Sequence, residues 1–526
     1  MHENSTRENR EAPSAPTAEQ VVGRLEKAMS QESNMHAGGE SDGCVVPSKC
    51  SNKSGKLLAE STEGRQPAKE NVGQSTSPRT QSRISELSDL LGVRKAARKD
   101  KRTRFTALLH HVTIHLLRDS YYALKREAAP GVDGVTWKEY ETGLDEKLAD
   151  LHSRIHQGTY RAQPSKRAYI PKADGRQRPL GIAALEDKIV QQAVVTVLNQ
   201  IYEEDFLGFS YGFRPGRSQH GALDALWVGI MRKKVNWILD ADIRGFFDNL
   251  SHEWTVKFIE HRIADRRVLR LIQKWLRAGV SEGGKWSKTT VGTPQGAVAS
   301  PLLANIYLHY VFDLWVRHWR KHHATGDLIV VRYADDIVAG FENRTDAERF
   351  LQEWKDRLQK FGLELHPDKT RLIEFGRHTA ENRKQRGESK PEVFSFLGFT
   401  HICGRTRKTG RFIVKRKTIP KRLSAKLNEL KEELRRRWHQ PVREVGKWLR
   451  AVVQGHFNYY AVPGNVDSLN SFRTQVIWRW YRALRRRSQR SQMTWERFRP
   501  LIDRWIPSAT ILHPHPNVRF DAIHPR

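Results

Sequence analysis

The chain has 526 residues, 38% of them hydrophobic, which is enough for more than one buried core and excludes a wholly disordered protein. Its 91 Lys and Arg stand against 59 Asp and Glu, a formal +32 at pH 7, so a polyanion is the expected partner. The three cysteines, Cys44, Cys50 and Cys403, form no CxxC pair, which excludes a cysteine zinc module or a disulfide framework. With no N-terminal apolar leader and no apolar run approaching about 18 residues, a cytoplasmic protein that crosses no membrane is predicted.

Residues 1–80, rich in Ser, Glu, Gly, Asn and Gln, read as a disordered tail. Helical patterning begins near "RISELSDLLGV" and strengthens in "RFTALLHHVTIHLLRDSYYALKR", where Leu108, Val112, Leu116 and Tyr121 recur at helical spacing. "APGVDGVTW" then breaks the helix with turn residues. From Tyr160 to about Phe399 short strands alternate with longer helices, the pattern of an α+β fold. "RAYIPKADGRQRPLGI" predicts a hairpin about its Asp-Gly turn, "WILDADI" a strand, and "DLIVVRYADDIVAGF" two strands around a tight turn at Asp335 and Asp336. After "FSFLGF" come three long basic helices with apolar stripes, a small bundle. Residues 401–490 hold 24 Lys and Arg against 5 Asp and Glu, so the positive excess is concentrated there.

The adjacent aspartates of "RYADDIV" sit within apolar strands, where an uncompensated carboxylate is costly. In "WILDADIRGFFDNLSH" the strand period of two puts Asp240 and Asp242 on one face, with Asp242 at the strand's end. If this strand pairs beside the hairpin, Asp242 and Asp335 converge with Asp336 close by. Three carboxylates at one place repel unless divalent cations neutralise them, and hard oxygen donors suit Mg²⁺. Two such ions clamping the attacking and leaving oxygens are the machinery of phosphoryl transfer.

"PGVDGVTW", "YIPKADGRQRPLGI", "SYGFRPGRSQHGAL", "LDADIRGFFDNLSH", "GTPQGAVASPLLANIYLH", "RYADDIV", "GLELHPDKT" and "FSFLGF" follow one another in the order of the motifs of group II intron-encoded reverse transcriptase and maturase proteins, which the chain resembles from about Phe105 to Phe520. The resemblance implies a right-hand polymerase with fingers, an antiparallel palm sheet, and an α-helical thumb and maturase domain. It divides the chain into the tail (1–80), fingers and palm (81–402), thumb and maturase region (403–490) and a basic C-terminal tail of the maturase and DNA-binding region (491–526).

By the same resemblance Asp242, Asp335 and Asp336 hold two Mg²⁺ ions, with the backbone carbonyl of Ile243 completing one shell. Phe247 is the bulky gate that would clash with a 2′-hydroxyl. Gln295 in "GTPQG" faces the nucleotide's sugar or the template base, Lys172 and Arg178 reach triphosphate oxygens, and Lys369 protonates the leaving pyrophosphate. Tyr211, Phe213, Arg214 and Arg217 offer aromatic and guanidinium groups to the template strand, and "FSFLGF" resembles the segment that grips the primer end.

In the basic helices, Arg479, Arg482, Arg485 and Arg486 share a face beside Trp478 and Tyr481, and five arginines between Arg482 and Arg490 have no acid near them in sequence. Such a surface suits structured RNA. The implied partners are group II intron RNA, a DNA target or primer and dNTPs, and the implied location is the cytoplasm, at the nucleoid when bound to DNA. The C-terminal half carries only Cys403, so a zinc nuclease that cuts the second DNA strand is not expected. A related non-intron reverse transcriptase of repair or defence, and an RNA-binding splicing factor with little polymerase activity, remain as alternatives.

Overall fold

The computed structural model describes residues 77–171, 177–487 and 493–524. Residues 1–76 of the predicted tail, Lys172 with its Asp-Gly turn, and Arg490 lie outside them. The helix Ser77–Lys99 begins inside the stretch assigned to the tail.

The described residues mix helices with three sheets, an α+β fold. β1 (Ser165–Pro171) and β2 (Gln177–Ile182) form the expected hairpin, and β1 also pairs in parallel with β4 (Val280–Glu282), which turns back into β5 (Lys285–Ser287). The central sheet has the order β6-β7-β3-β8, built from β3 (Trp237–Asp242), β6 (Leu328–Tyr333), β7 (Asp336–Phe341) and β8 (Arg371–Glu374). Every pairing within it is antiparallel. A third sheet joins β9 (Phe394–Phe396), β10 (Phe399–Arg405) and β11 (Phe412–Thr418).

The apolar runs of the central strands reflect burial of both faces. Leu239, Ala241, Val330, Ile337 and Ala339 join the core with the helices Leu185–Asp205, Ser300–Leu308 and Arg344–Lys360. Ile238, Ile329, Val331, Val338 and Ile373 face the helix Gln219–Arg232 and β9–β10. The three basic helices, Pro420–Arg436, Val442–Tyr460 and Val466–Arg485, enclose a separate core around Leu430, Leu449, Phe472 and Trp480.

Two expectations are corrected. The helix predicted through Leu108 starts only at Ile114, because the Asp265 carboxylate accepts from Leu108 and Leu109 N–H (2.8 and 3.0 Å) and Thr113 caps the helix Ile114–Ala123. The hairpin turn centres on Ala334 and Asp335, with Asp336 already in β7 opposite Tyr333. The C-terminal region holds the helices Trp495–Trp505 and Pro516–Ile523, and the second is docked. Phe520 is buried in the core beside the helix Gln219–Arg232, Arg232 donates to both Asp521 oxygens (2.9 and 2.8 Å), and His513 stacks on His220.

Candidate active site

Antiparallel register sets the site. Asp242, the last residue of β3, is the pairing partner of Asp336, the first of β7, and Asp335 occupies the adjoining turn. The turn is tight because Ala334 takes φ 56°, a left-handed conformation that costs a non-glycine residue about 1 kcal/mol. Asp335 is half-buried, and the Asp336 residue keeps an exposed surface.

Desolvation by the surrounding protein, then the Asp335, Asp242 and Asp240 carboxylates, push the Asp336 carboxyl up to about 7. Asp335 is raised by burial and by Asp242, against the pull of its own backbone N–H, Arg178 and Lys369. Burial, opposed by Arg371 (3.6 Å), pushes Asp240 up to about 6. The Lys369 ammonium is ion-paired with Asp242. Among the described residues no three His, Cys, Asp or Glu side chains are gathered tightly enough to chelate an ion. The three aspartates are therefore brought to one end of the hairpin without forming a closed cage. The donor chemistry fits Mg²⁺, which takes hard carboxylate oxygens.

The expected nucleotide side gathers around the loop Gly292–Gly296. Arg178 Nε donates to Gln295 Oε1 (2.7 Å), and Gly181 N–H to the Gln295 carbonyl (2.8 Å), so the β1–β2 hairpin and the loop are joined. Phe247, partly exposed, lies against Phe246, and its carbonyl accepts from Thr293 N–H (2.8 Å). Gly292 has φ 84°, and a Cβ there would stand 2.7 Å from the Asp248 carbonyl oxygen, so only glycine permits this approach. Ile243 is buried, with its backbone bridged to Leu365.

The loop Ser210–Arg217 departs from expectation. Tyr211 is buried, and so is Arg214, whose guanidinium is consumed by Glu203 (3.0 Å) and the carbonyls of Leu207 and Ser210 (2.8 and 2.7 Å). Neither is placed to touch a template strand. Arg217 lies over the Tyr211 ring, and Phe213 is 54% exposed beside Tyr333. The phenylalanines of "FSFLGF" are core residues, joined by a turn at Leu397 and Gly398.

On the helix Val466–Arg485, Arg479 is half-buried and donates to Gln475 (2.6 Å), while Arg482, Arg485 and the following Arg486 are exposed. Trp478 meets Trp495, and Tyr481 stacks on Trp495 at 4.4 Å. Sequence reasoning missed Arg422, whose charge, from the first turn of the helix Pro420–Arg436, partly opposes the rise of the Asp336 carboxyl; no local signal links the two. It also gave Asp240 no role, although the strand period had placed it on the site's face.

Residues 170–401 match the reverse transcriptase (RNA-dependent DNA polymerase) family. The chain is 33% identical over 302 residues to protein YkfC of Escherichia coli (strain K12), a match covering 50% of this chain and 78% of YkfC. The chain belongs to the group II intron-encoded reverse transcriptase and maturase family. It is also 44% identical over 168 residues to the group II intron-encoded protein LtrA of Lactococcus lactis subsp. cremoris, 31% of this chain and 27% of LtrA. With the uncharacterized 91 kDa protein in the cob intron of Schizosaccharomyces pombe it shares 42% identity over 170 residues, 32% of this chain and 21% of that one. The last two matches thus span about a quarter of each relative's length. The family's enzymatic class is RNA-directed DNA polymerase, and no described helix is long and apolar enough to cross a membrane.

Proposed function

We propose that the chain copies group II intron RNA into DNA from a DNA 3′-hydroxyl, and binds the folded intron RNA as its maturase. The observation that carries the polymerase reading is the pairing of Asp242 with Asp336 across adjacent strands, with Asp335 in the turn between β6 and β7. The central sheet is the palm and the β1–β2 and β4–β5 hairpins belong to the fingers, together 81–402. Residues 403–490 are the thumb and maturase region, and 491–526 its DNA-binding tail.

Asp242, Asp335 and Asp336 would hold two Mg²⁺ ions, with the Ile243 carbonyl as a further oxygen donor. Bound there, Mg²⁺ supplies charge neutralisation at the triphosphate and acidifies the primer hydroxyl. The chain's own groups do the rest. Arg178, tethered by Gln295, binds triphosphate oxygens with Lys172, and Gln295 borders the sugar or template base. Phe247 excludes a 2′-hydroxyl by contact. As the primer 3′-oxygen bonds to the α-phosphorus and the bond to pyrophosphate breaks, the Lys369 ammonium gives a proton to the departing oxygen. Phe213 and Arg217 meet the template.

Exposed Arg482, Arg485 and Arg486, with Arg479 and Trp478 near them, contact intron RNA phosphates and bases. Binding the folded RNA in preference to the unfolded stabilises it by mass action. The location is the cytoplasm, at the nucleoid when on DNA.

The test is primer extension on an RNA template with dNTPs and Mg²⁺. Wild-type protein extends the primer and Asp335→Asn, equally folded, does not; equal extension by the variant overturns the assignment.

A further inference from the structure

Arg332, the first residue of "RYADDIV", is fully buried beneath the hairpin turn. Its guanidinium grips Asp313 with two bonds (2.7 and 2.6 Å), and its third nitrogen donates to the Ala334 carbonyl (3.1 Å) and to Asn305 Oδ1 (3.0 Å). Asn305, 1% exposed, donates its amide to the Gly212 carbonyl (2.7 Å). The amide orientation follows from its neighbours, because the flipped form would set an NH₂ against a guanidinium and a carbonyl against a carbonyl. Asp313 ends a π-helical turn, His309–Asp313, whose wider winding brings it to the same guanidinium as Asn305.

One buried bridge therefore joins two segments distant in sequence: the turn that carries Asp335, and the loop that carries Phe213. Backbone bonds reinforce the contact, from Tyr211 N–H to the Arg332 carbonyl (2.8 Å) and from Arg332 N–H to the Phe209 carbonyl (2.9 Å). The fit is close enough that a Cβ on Gly212 would stand 2.3 Å from Ala334 N. Both sides of the contact are strained: Ala334 has φ 56° and Phe213 φ 57°. Such residues persist only where their surroundings over-determine them.

We propose that Asn305 is a positioning residue. Through Gly212 it holds the exposed Phe213 ring at a fixed distance from the Asp335 turn, so that a template base stacked on Phe213 stands in register with the carboxylates. The proposal rests on the polymerase reading above. Asn305 touches no substrate and acts only through the loop it clamps, which separates it from Asp242, Asp335 and Asp336.

The experiment measures single-turnover nucleotide addition on an RNA template at saturating dNTP, with primer–template affinity by anisotropy and folding by thermal unfolding. Asn305→Leu keeps the number of side-chain heavy atoms and removes both bonds. The expected result is a rate about 10- to 100-fold lower, since sub-ångström to ångström misplacement carries penalties of this size, with primer–template affinity changed less than about twofold. Phe213→Ala should slow the step as well, and Asn305→Leu with Phe213→Ala should be no slower than the slower single variant, because a ring no longer held in register contributes nothing to lose. Gly212→Ala displaces the loop from the other side and carries the same double-variant test if Asn305→Leu does not fold. Wild-type rates in Asn305→Leu or Gly212→Ala, or multiplicative effects with Phe213→Ala, overturn the proposal. Asp335→Asn, run alongside, keeps the readings apart: if it is inactive while Asn305→Leu is normal, only the positioning role fails, and if it is active the polymerase assignment itself fails.

Discussion

Replacing Arg332 with Met tests the fold and the site together. Both partners of the Arg332–Asp313 pair are fully buried, and the guanidinium makes two bonds to the carboxylate. Removing one partner of such a pair leaves an uncompensated charge and typically destabilises by about 3–5 kcal/mol. The bonds to Asn305 and the Ala334 carbonyl are lost as well. Burial already raises the Asp313 carboxyl, and Arg332 is the first influence opposing it. In Arg332→Met the group rises further and takes up a proton on the folded side. A carboxyl raised on folding contributes most below its unfolded value and loses that contribution as pH climbs through the folded one. The deficit of Arg332→Met should therefore be smaller at pH 5.5 than at pH 8. Equilibrium urea unfolding at the two pH values, with primer extension on the same preparations, gives the answer. Arg332→Met with Asp313→Leu should recover most of the stability, because two apolar groups replace a buried ion pair, without recovering the rate. A loss below about 1 kcal/mol in the single variant, or full recovery of rate in the double, would refute the view that this pair supports the turn.

Asp187, buried and bonded to the Tyr160 hydroxyl and Gln163 N–H, is pushed by burial up to about 6. Its contribution is greatest below about pH 4 and falls as pH rises to about 6, by up to about 3 kcal/mol; Asp187→Asn should lack this slope in urea titrations across that range. Lys369→Gln should slow nucleotide addition by about 10²- to 10⁴-fold at saturating dNTP if the ammonium acts as the acid, and an unchanged rate and pH profile would remove it from the chemistry. Phe520→Ala should cost about 3–5 kcal/mol and speed amide exchange in both Pro516–Ile523 and Gln219–Arg232; normal exchange in the second helix would show that the docking does not brace it. Arg482→Gln, Arg485→Gln and Arg486→Gln should each reduce the salt slope of intron RNA binding by roughly one while leaving unfolding midpoints unchanged, and an unaltered slope would place the RNA elsewhere.

The α+β alternation, the central hairpin, the pairing of Asp240 with Asp242 on one face and the three basic helices could all be read from the chain. Each rests on a local period, two for strands and near 3.6 for helices, and such periods survive folding because one face must be buried. The order of the motifs carried the family. Other features depended on residues that meet only after the chain has folded. Whether an arginine is a ligand or a strut is one: Arg214 and Arg332 look as available in sequence as Arg178, yet Glu203 and Asp313 consume the first two. Helix entry at Ile114 was decided by a carboxylate from Asp265, far along the chain. The register that sets Asp242 against Asp336, the Arg422 charge beside Asp336 and the Asn305 bridge to Gly212 likewise came from tertiary contacts alone. Charge and type are properties of a residue, but its electrostatic energy depends on which partners and how much water surround it, and those are fixed only by packing.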